Sequence, residues 1–184
     1  MDANILPYLH EVLKNDTSSK YNKRIAAFTL SNLMCSEPYQ LQQCLDNKEL
    51  VTLLVEMIHR EPQEIAKECL MCFTNATFRG TFTQMCFLIE NGIFNIFLEA
   101  LSQPINDFTL IDEILQALIN ILNMGLGNLI NGHNLFKEKL EQLGFLRVLE
   151  SVMSIQNANI HKTCLAIVDG FFEESSVVFQ WVQN

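Results

Sequence analysis

Hydrophobic and polar positions between residues 64 and 77, EIAKECLMCFTNAT, form two stripes with helical spacing. Apolar positions recur at i, i+4, i+7, i+8 and i+11, which lines one face of an α-helix. They are Ile65, Cys69, Cys72, Phe73 and Ala76. On the adjacent face, Glu68, Met71 and Asn75 follow at i, i+3 and i+7. Core packing does not explain a carboxylate, a thioether and an amide in one line. The second stripe therefore indicates a binding surface.

The apolar stripe recurs along the chain. Its other copies are Leu110, Ile114, Ala117, Leu118 and Ile121, then Ile160, Cys164, Ile167, Val168 and Phe171, and a weaker one at Asn22, Ala26, Thr29, Leu30 and Leu33. The asparagines that anchor the first three copies, Asn32, Asn75 and Asn120, are separated by 43 and 45 residues. Armadillo and HEAT repeats have a period of about 40–47 residues. The sequence therefore predicts an all-α chain, a right-handed α-solenoid of armadillo repeats.

Turn residues divide the chain into helices and repeats. The predicted helices cover about 3–14, 20–35, 38–46, 49–60, 62–79, 82–90, 94–101, 108–124, 135–143, 145–153 and 158–172, with 125–134, GLGNLINGHN, as the longest flexible loop. They form one domain over 1–174, with a partial repeat at 1–35 and full repeats at about 36–79, 80–126 and 132–173, followed by a tail at 175–184. The first helix is apolar at Ile5, Leu6, Leu9, Val12 and Leu13. Since solenoids normally end in a polar cap, we expect further repeats or another chain at this edge.

Composition and charge exclude some functions. The formal net charge of −9 argues against non-specific nucleic-acid binding, which needs clustered cations, and is compatible with a basic partner or with a merely solvating surface. No run of about 18 uncharged apolar residues predicts a membrane span. The N-terminus has no basic segment of a secretory signal.

Cysteine and histidine spacing predicts neither a metal nor a cofactor. Cys69 and Cys72 have the spacing of half a zinc site or of a redox pair, but they belong to the apolar stripe. Buried free thiols in a reducing compartment explain the six cysteines best. The four histidines show no catalytic or metal-binding spacing, so we do not expect an enzyme.

The repeated asparagines predict how a ligand would be held. In an armadillo stack the third helix of each repeat lines a concave groove, and an amide there can bind both the N–H and the C=O of an extended peptide. The residues four before each asparagine form side-chain slots: Phe28, Met71 and Gln116. Those seven before are Ile25, Glu68 and Glu113, and the two carboxylates could pair with Lys or Arg. The last copy has Gly170 and Ala166 at the equivalent positions, so this chemistry ends near Asn120. The alternative is that the asparagines bond neighbouring helices and stabilise the stack.

At these residues the chain resembles the importin-α (karyopherin-α) family. KECLMCFTNAT is similar to the family's third-helix motif KEAxWAISNAT, IAAFTLSNLM resembles the repeat before it, and ILQALINILNMG and residues 135–173 resemble those after it. The resemblance covers about 3–173 and corresponds to the C-terminal armadillo repeats. Residue by residue, Asn32 and Asn75 match the motif asparagine, Ser31 and Thr74 its preceding hydroxyl, and Glu68 its glutamate. Phe28 and Met71 depart from the motif, because they stand where the family has Trp.

The resemblance implies a nuclear import adaptor fragment, present in cytoplasm and nucleus, whose groove binds basic nuclear-localisation peptides as a minor site. It also implies that the last repeats contribute to an export-receptor surface. The alternative is a divergent armadillo scaffold that has lost cargo recognition and acts through its termini or convex surface. The tail carries the chain's one tryptophan, Trp181, and is expected to pack on the last repeat or to dock on another chain.

Overall fold

A computed structural model describes residues 5–103 and 107–172. Over these residues the chain is helical, without β-strands, and its one isolated β-bridge joins Ile130 and His133. The helices are α1 (Leu6–Lys14), α2 (Lys20–Met34), α3 (Pro38–Asp46), α4 (Lys48–Arg60), α5 (Gln63–Arg79), α6 (Phe82–Glu90), α7 (Ile93–Ser102), α8 (Phe108–Gly127), α9 (Leu135–Gln142), α10 (Phe145–Met153) and α11 (Ala158–Ile167), the last continuing as a π-helical segment, Val168–Phe172. The prediction of an all-α fold is confirmed. The tail and Trp181 lie outside the described residues.

Polar side chains cap many of these helices, as the turn residues predict. The caps accept hydrogen bonds from backbone N–H groups that the first helical turn leaves without partners. Ser19 accepts from the N–H of Asn22, and the side chains of Asn47, Asp107, Asn134 and Asn157 make equivalent bonds at the starts of α4, α8, α9 and α11. The sequence therefore places most helix starts within one or two residues.

The predicted loop at 125–134 is wrong in its first part, because α8 continues to Gly127. Asn134 explains this extension. Its Nδ2 donates to the Leu122 carbonyl at 3.0 Å, which brings its side chain against the backbone of α8. A Cβ atom at Gly125 would overlap Asn134 Oδ1, so glycine allows the helix to pass beneath that side chain. The rest of the loop is a tight turn in which Ile130 and His133 exchange two backbone hydrogen bonds of 3.0 Å.

The helices form two compact units, one reaching Phe87 and the other beginning at Leu88. In the first unit α2 packs along α5, while α1 and α4 complete the core. Its largest buried side chains include Leu13, Leu30, Leu54 and Phe73. Beneath the start of α2, Lys23 Nζ lies 2.8 Å from Glu61 Oε1, and both side chains are largely buried. The stripe pattern predicts Asn22 at this buried position, but the structure exposes Asn22 and buries Lys23 instead.

In the second unit α8 packs on α9 and α11, and α7 packs on α8 and α10. The π-helical segment changes the apolar stripe of the last repeat. A π-helical turn holds an additional residue, so Phe172 is fully buried where the α-helical spacing predicts Phe171, which is only half-buried. The Phe172 ring lies 5.7 Å from that of Phe145, in a tilted arrangement, and Lys137 Nζ lies 5.6 Å from its centroid.

Helix α8 has the length and apolarity to span a membrane by composition alone, and α6 with α7 passes the same test only as a pair bent by 66°. Half of the apolar window in α8 is buried within the protein. Its apolar stripe from Leu110 to Ile121 is buried throughout. Burial of a continuous stripe is the pattern of a core helix.

Candidate functional site

Helices α2 and α5 are the third helices of consecutive predicted repeats, and two hydrogen bonds fix their register. Asn75 Nδ2 donates to the Ser31 carbonyl at 3.1 Å, and Cys72 Sγ lies 3.6 Å from the Ala27 carbonyl. The bonded residues are 44 and 45 apart, close to the repeat period. Equivalent residues of the two helices therefore lie side by side.

The two asparagines of this pair have different environments. Asn32 is exposed, whereas Asn75 is half-buried because its amide contacts α2. An asparagine side chain has two N–H donors and one carbonyl oxygen. The bond to Ser31 uses one donor of Asn75, which leaves one N–H and the oxygen for another partner. Asn75 thus partly fulfils the alternative role, that of joining neighbouring helices, without losing its capacity for a ligand.

Ser31 and Thr74 are buried, and their hydroxyls bond within their own helices. Ser31 Oγ donates to the Phe28 carbonyl at 2.8 Å and Thr74 Oγ1 to the Met71 carbonyl at 3.2 Å. These hydroxyls support the backbone beside each asparagine. The structure gives them a local structural role and no direct access to the surface.

The predicted slot residues lie at the surface. Phe28 is 50% exposed, and Met71 and Glu68 are half-exposed. Together with Asn32 and Asn75, they lie on one line of each helix at the spacing i, i+4, i+7 and i+11. We call this surface the α2–α5 face and define it by eight residues: Tyr21, Ile25, Phe28 and Asn32 on α2, and Glu64, Glu68, Met71 and Asn75 on α5.

Two exposed aromatic residues at this surface were not predicted as site residues. Tyr21 is 67% exposed at the start of the line on α2, and Phe78 is 53% exposed one turn after Asn75. The helical spacing that predicts Phe28 also leads back to Tyr21, at eleven residues before Asn32. That signal was present in the sequence.

In the second unit, Glu113, Gln116 and Asn120 lie half-exposed on α8, at positions equivalent to Glu68, Met71 and Asn75. Helix α11 packs against α8, where Thr163 Oγ1 donates to Asp112 Oδ1 at 3.0 Å. Gly170, at the asparagine position of this last copy, lies in the π-helical segment. This helix therefore offers no amide of the kind found on α2, α5 and α8.

The cysteines predicted to face the core are buried: Cys69 and Cys72 have no exposed surface. Burial raises the pKa of Cys69 to about 12 and that of Cys72 well above its ordinary value. A thiol with so high a pKa is a poor nucleophile and metal ligand. In the described part of the chain no three His, Cys, Asp or Glu side chains gather as a metal site would require.

No protein-family model matches the chain. Importin subunit alpha-1 of Caenorhabditis elegans is 24% identical to it over 176 residues. A designed armadillo repeat protein, solved in complex with the peptide (KR)4, superposes with a TM-score of 0.75 at 25% identity, covering 91% of this chain and 64% of that one. Computationally designed armadillo repeat proteins for modular peptide recognition give a TM-score of 0.73 at 23% identity, covering 89% of this chain and 63% of theirs.

The chain has the armadillo-repeat fold, and its sequence is similar to that of an importin-α subunit. The aligned region covers 94% of the chain but only 32% of the nematode importin subunit. This armadillo-repeat protein thus spans about a third of that relative.

Proposed function

We propose that this armadillo-repeat protein binds extended basic peptides on the α2–α5 face, as the minor-site part of a nuclear import adaptor. The observation that carries the proposal is the pair of equivalent asparagines, Asn32 and Asn75. Each lies on the third helix of its predicted repeat, and the two helices are held in register. Glu113, Gln116 and Asn120 on α8 are proposed to act in the same way in the second unit.

The spacing of the two helices suits an extended peptide. Packed helix axes lie about 8–10 Å apart, and an extended chain rises about 3.3 Å per residue. Successive asparagines can therefore hold backbone groups two or three residues apart. Contacts to the peptide backbone give affinity without requiring a particular sequence, and the neighbouring slots select side chains.

Charge favours a basic ligand at α5. Glu64 is exposed and Glu68 half-exposed on the same line as Asn75, and the whole chain carries a net charge of −9. Carboxylates and a negative field attract lysine and arginine side chains. The designed armadillo protein with a bound (KR)4 peptide supports the view that this repeat architecture can hold such a ligand.

We expect weak binding, because Phe28 and Met71 replace the tryptophans that the family has. A cation over an aromatic face gains about 0.5–2 kcal/mol, most for tryptophan. Phe28 retains part of this interaction and Met71 none. Two such losses correspond to a tenfold or greater reduction in affinity, which places the dissociation constant of a lysine-rich peptide at about micromolar or above.

Its likeness to importin subunit alpha-1 supports a role in transport between cytoplasm and nucleus. The cargo would be proteins with basic segments, and an export receptor would contact the last repeats. Both partners are part of the proposal, because the chain spans only about a third of that relative's length.

Isothermal titration of the full chain with (KR)4 tests the proposal. The unmodified protein should bind, Asn75→Ala should weaken binding about tenfold, and added salt should weaken it further, since exposed charges are screened. Asn22→Ala is the matched control, because Asn22 is an exposed asparagine on another side of α2. Absence of binding, or affinity equal in the Asn75→Ala and Asn22→Ala proteins, would overturn the proposal.

A second candidate is an interaction scaffold without cargo recognition. Besides the loss of both tryptophans, a group of exposed aliphatic side chains around the end of α8 favours it: Leu126, Leu129, Ile130 and Leu135. Exposed apolar clusters often mark protein–protein contacts. Partner capture that survives alanine at Asn32, Asn75 and Asn120 but is lost with Leu129→Ser and Ile130→Ser would support this function.

A further inference from the structure

We propose that the α2–α5 face prefers peptides in which a bulky apolar side chain stands close to a lysine or arginine. The apolar side chain would pack on Tyr21, Ile25 and Phe28, and the cation would pair with Glu64 and Glu68. This inference rests on the proposed function and narrows its ligand class from basic peptides to mixed apolar–basic ones.

Equivalent positions of α2 and α5 carry different side chains. Tyr21 and Ile25 on α2 correspond, 43 residues on, to Glu64 and Glu68 on α5. The three apolar residues of the line on α2 are exposed by 67%, 39% and 50%, in the order Tyr21, Ile25, Phe28. An exposed line of two aromatic rings and an isoleucine gains most from covering by another apolar group. The two halves of the face therefore suit different side chains.

Charge separates the two halves in the same sense. Lys20 and Arg24 flank Tyr21 on α2 and are both exposed. With Tyr21, Glu64 and Ile65 they line an open cleft of about 270 Å³. A ligand lysine above α2 would meet these two cations, whereas above α5 it would meet two carboxylates and one cation, Lys67. Charge complementarity thus favours the cation of a peptide at α5. At α2, Phe28 can accept a lysine weakly, but an apolar side chain gains from Phe28 without repulsion from Lys20 and Arg24.

Geometry fixes the distance between the two side chains along the peptide. Since packed helices lie about 8–10 Å apart and extended residues rise about 3.3 Å, the apolar and the basic residue should be two or three positions apart. Alternate residues of an extended chain point to the same side. Either chain direction satisfies this spacing, so both orders of the two residues fit.

The chain's own tail, SSVVFQWVQN at 175–184, matches only half of this chemistry. It contains valines, a phenylalanine and a tryptophan but neither lysine nor arginine. It would leave Glu64 and Glu68 without a cation. A segment of another protein that carries both side chains fits the face better.

A host–guest peptide series on the full chain tests the preference. The host is (KR)4, and one internal lysine is replaced by leucine or by serine, so that the two guest peptides carry the same charge. By fluorescence anisotropy, the leucine peptide should bind about tenfold more tightly than the serine peptide. In Phe28→Ala this ratio should fall to about twofold while the affinity for the serine peptide changes less than about threefold.

Tyr39→Ala is the matched control, because Tyr39 is an aromatic residue of α3 that is 66% exposed, and it should keep the tenfold ratio. Equal binding of both guest peptides, or a ratio unchanged by Phe28→Ala, would overturn the preference. The proposed function would still stand if (KR)4 binds and Asn75→Ala weakens that binding. Tighter binding of a synthetic SSVVFQWVQN peptide than of the leucine peptide would assign the face to the chain's own tail and overturn the inference.

Discussion

The junction between α2 and α5 in the first unit and that between α8 and α11 in the second unit join third helices in different ways. At the first junction Asn75 and Cys72 reach backbone carbonyls of α2. At the second, a side-chain pair, Thr163 with Asp112, joins the helices. The first junction has an asparagine on both of its helices, Asn32 and Asn75, whereas the second has Asn120 on α8 and Gly170 at the amide position of the π-helical segment. Repeats of one architecture thus differ in whether their packing leaves binding groups available.

The largest loss of stability that we expect from a single substitution is at the π-helical segment. Phe172→Ala removes a fully buried ring packed on Phe145, so we expect a loss of about 4 kcal/mol in the free energy of unfolding. Phe171→Ala should cost about 1 kcal/mol, because Phe171 is only half-buried. Chemical denaturation measures both. Equal losses, or a larger loss for Phe171→Ala, would show that the helix keeps its α-helical register to the end.

A smaller effect is expected where α8 passes beneath Asn134. Gly125→Ala places a methyl group against the Asn134 side chain, which should cost about 2 kcal/mol. The matched control is Gly127→Ala in the same helix, which has open space around it and should stabilise the chain by about 0.5 kcal/mol. Thermal unfolding of both variants checks this. If the melting temperature shifts in the same direction in both, the contact between Gly125 and Asn134 does not determine the effect.

The sequence was sufficient for the helices and insufficient for these two details. Apolar spacing predicts the buried residues of α5 and α8 because burial on one face of a helix leaves a periodic trace. It does not predict the shift from Phe171 to Phe172, since the ring that is buried, Phe172, packs on Phe145, which lies in another helix. Nor does it predict the end of α8. Two glycines normally indicate a loop, but here the Asn134 side chain contacts the backbone of α8, and the helix continues to Gly127.

The candidate site was predictable in the same measure. The period of 43 residues identifies Asn32 and Asn75 as equivalent, but the hydrogen bond from Asn75 to Ser31 depends on the register of two packed helices. The ion pair of Lys23 with Glu61 is also a tertiary feature, because its partners are 38 residues apart. Sequence spacing thus gives the line of surface residues, and packing decides which of their polar groups are already in use.

The two asparagines of the first junction should differ in their effect on stability. Asn75→Ala removes the hydrogen bond to the Ser31 carbonyl, so we expect a loss of about 1 kcal/mol in the free energy of unfolding. Asn32→Ala should change it by less than about 0.5 kcal/mol, since Asn32 is exposed. Urea denaturation of the two variants measures the difference. A loss at Asn32 as large as that at Asn75 would mean that both amides serve the fold.

Alkaline pH should act mainly on the first unit, which buries Cys44, Cys69 and Cys72, whereas the second buries Cys164. Burial raises the pKa of Cys44 to about 11 and that of Cys69 and Cys164 to about 12, from 9.0. The unfolded chain therefore loses these protons first, so stability is unaffected below about pH 9 and falls progressively from pH 9 until the pH has passed the folded-state pKa values of 11 to 12.

Near neutral pH the buried thiols should change the free energy of unfolding less than any of the substitutions above. Urea midpoints at pH 8 and pH 10 should show the fall, and a Cys69→Ala, Cys72→Ala double variant should show a weaker pH dependence than Cys164→Ala. If the urea midpoint falls equally with pH in both variants, the first unit is not the more sensitive one and the prediction is wrong.

The central claim is that amides of the α2–α5 face hold the backbone of a bound peptide. Nuclear magnetic resonance of the side-chain NH2 groups of Asn32 and Asn75, assigned by single substitution, tests it most directly. Titration with (KR)4 should shift both resonances to saturation with one dissociation constant, while the exposed Asn22 stays unchanged. If peptide binding saturates and the Asn32 and Asn75 resonances do not move, the peptide is held elsewhere and the account is wrong.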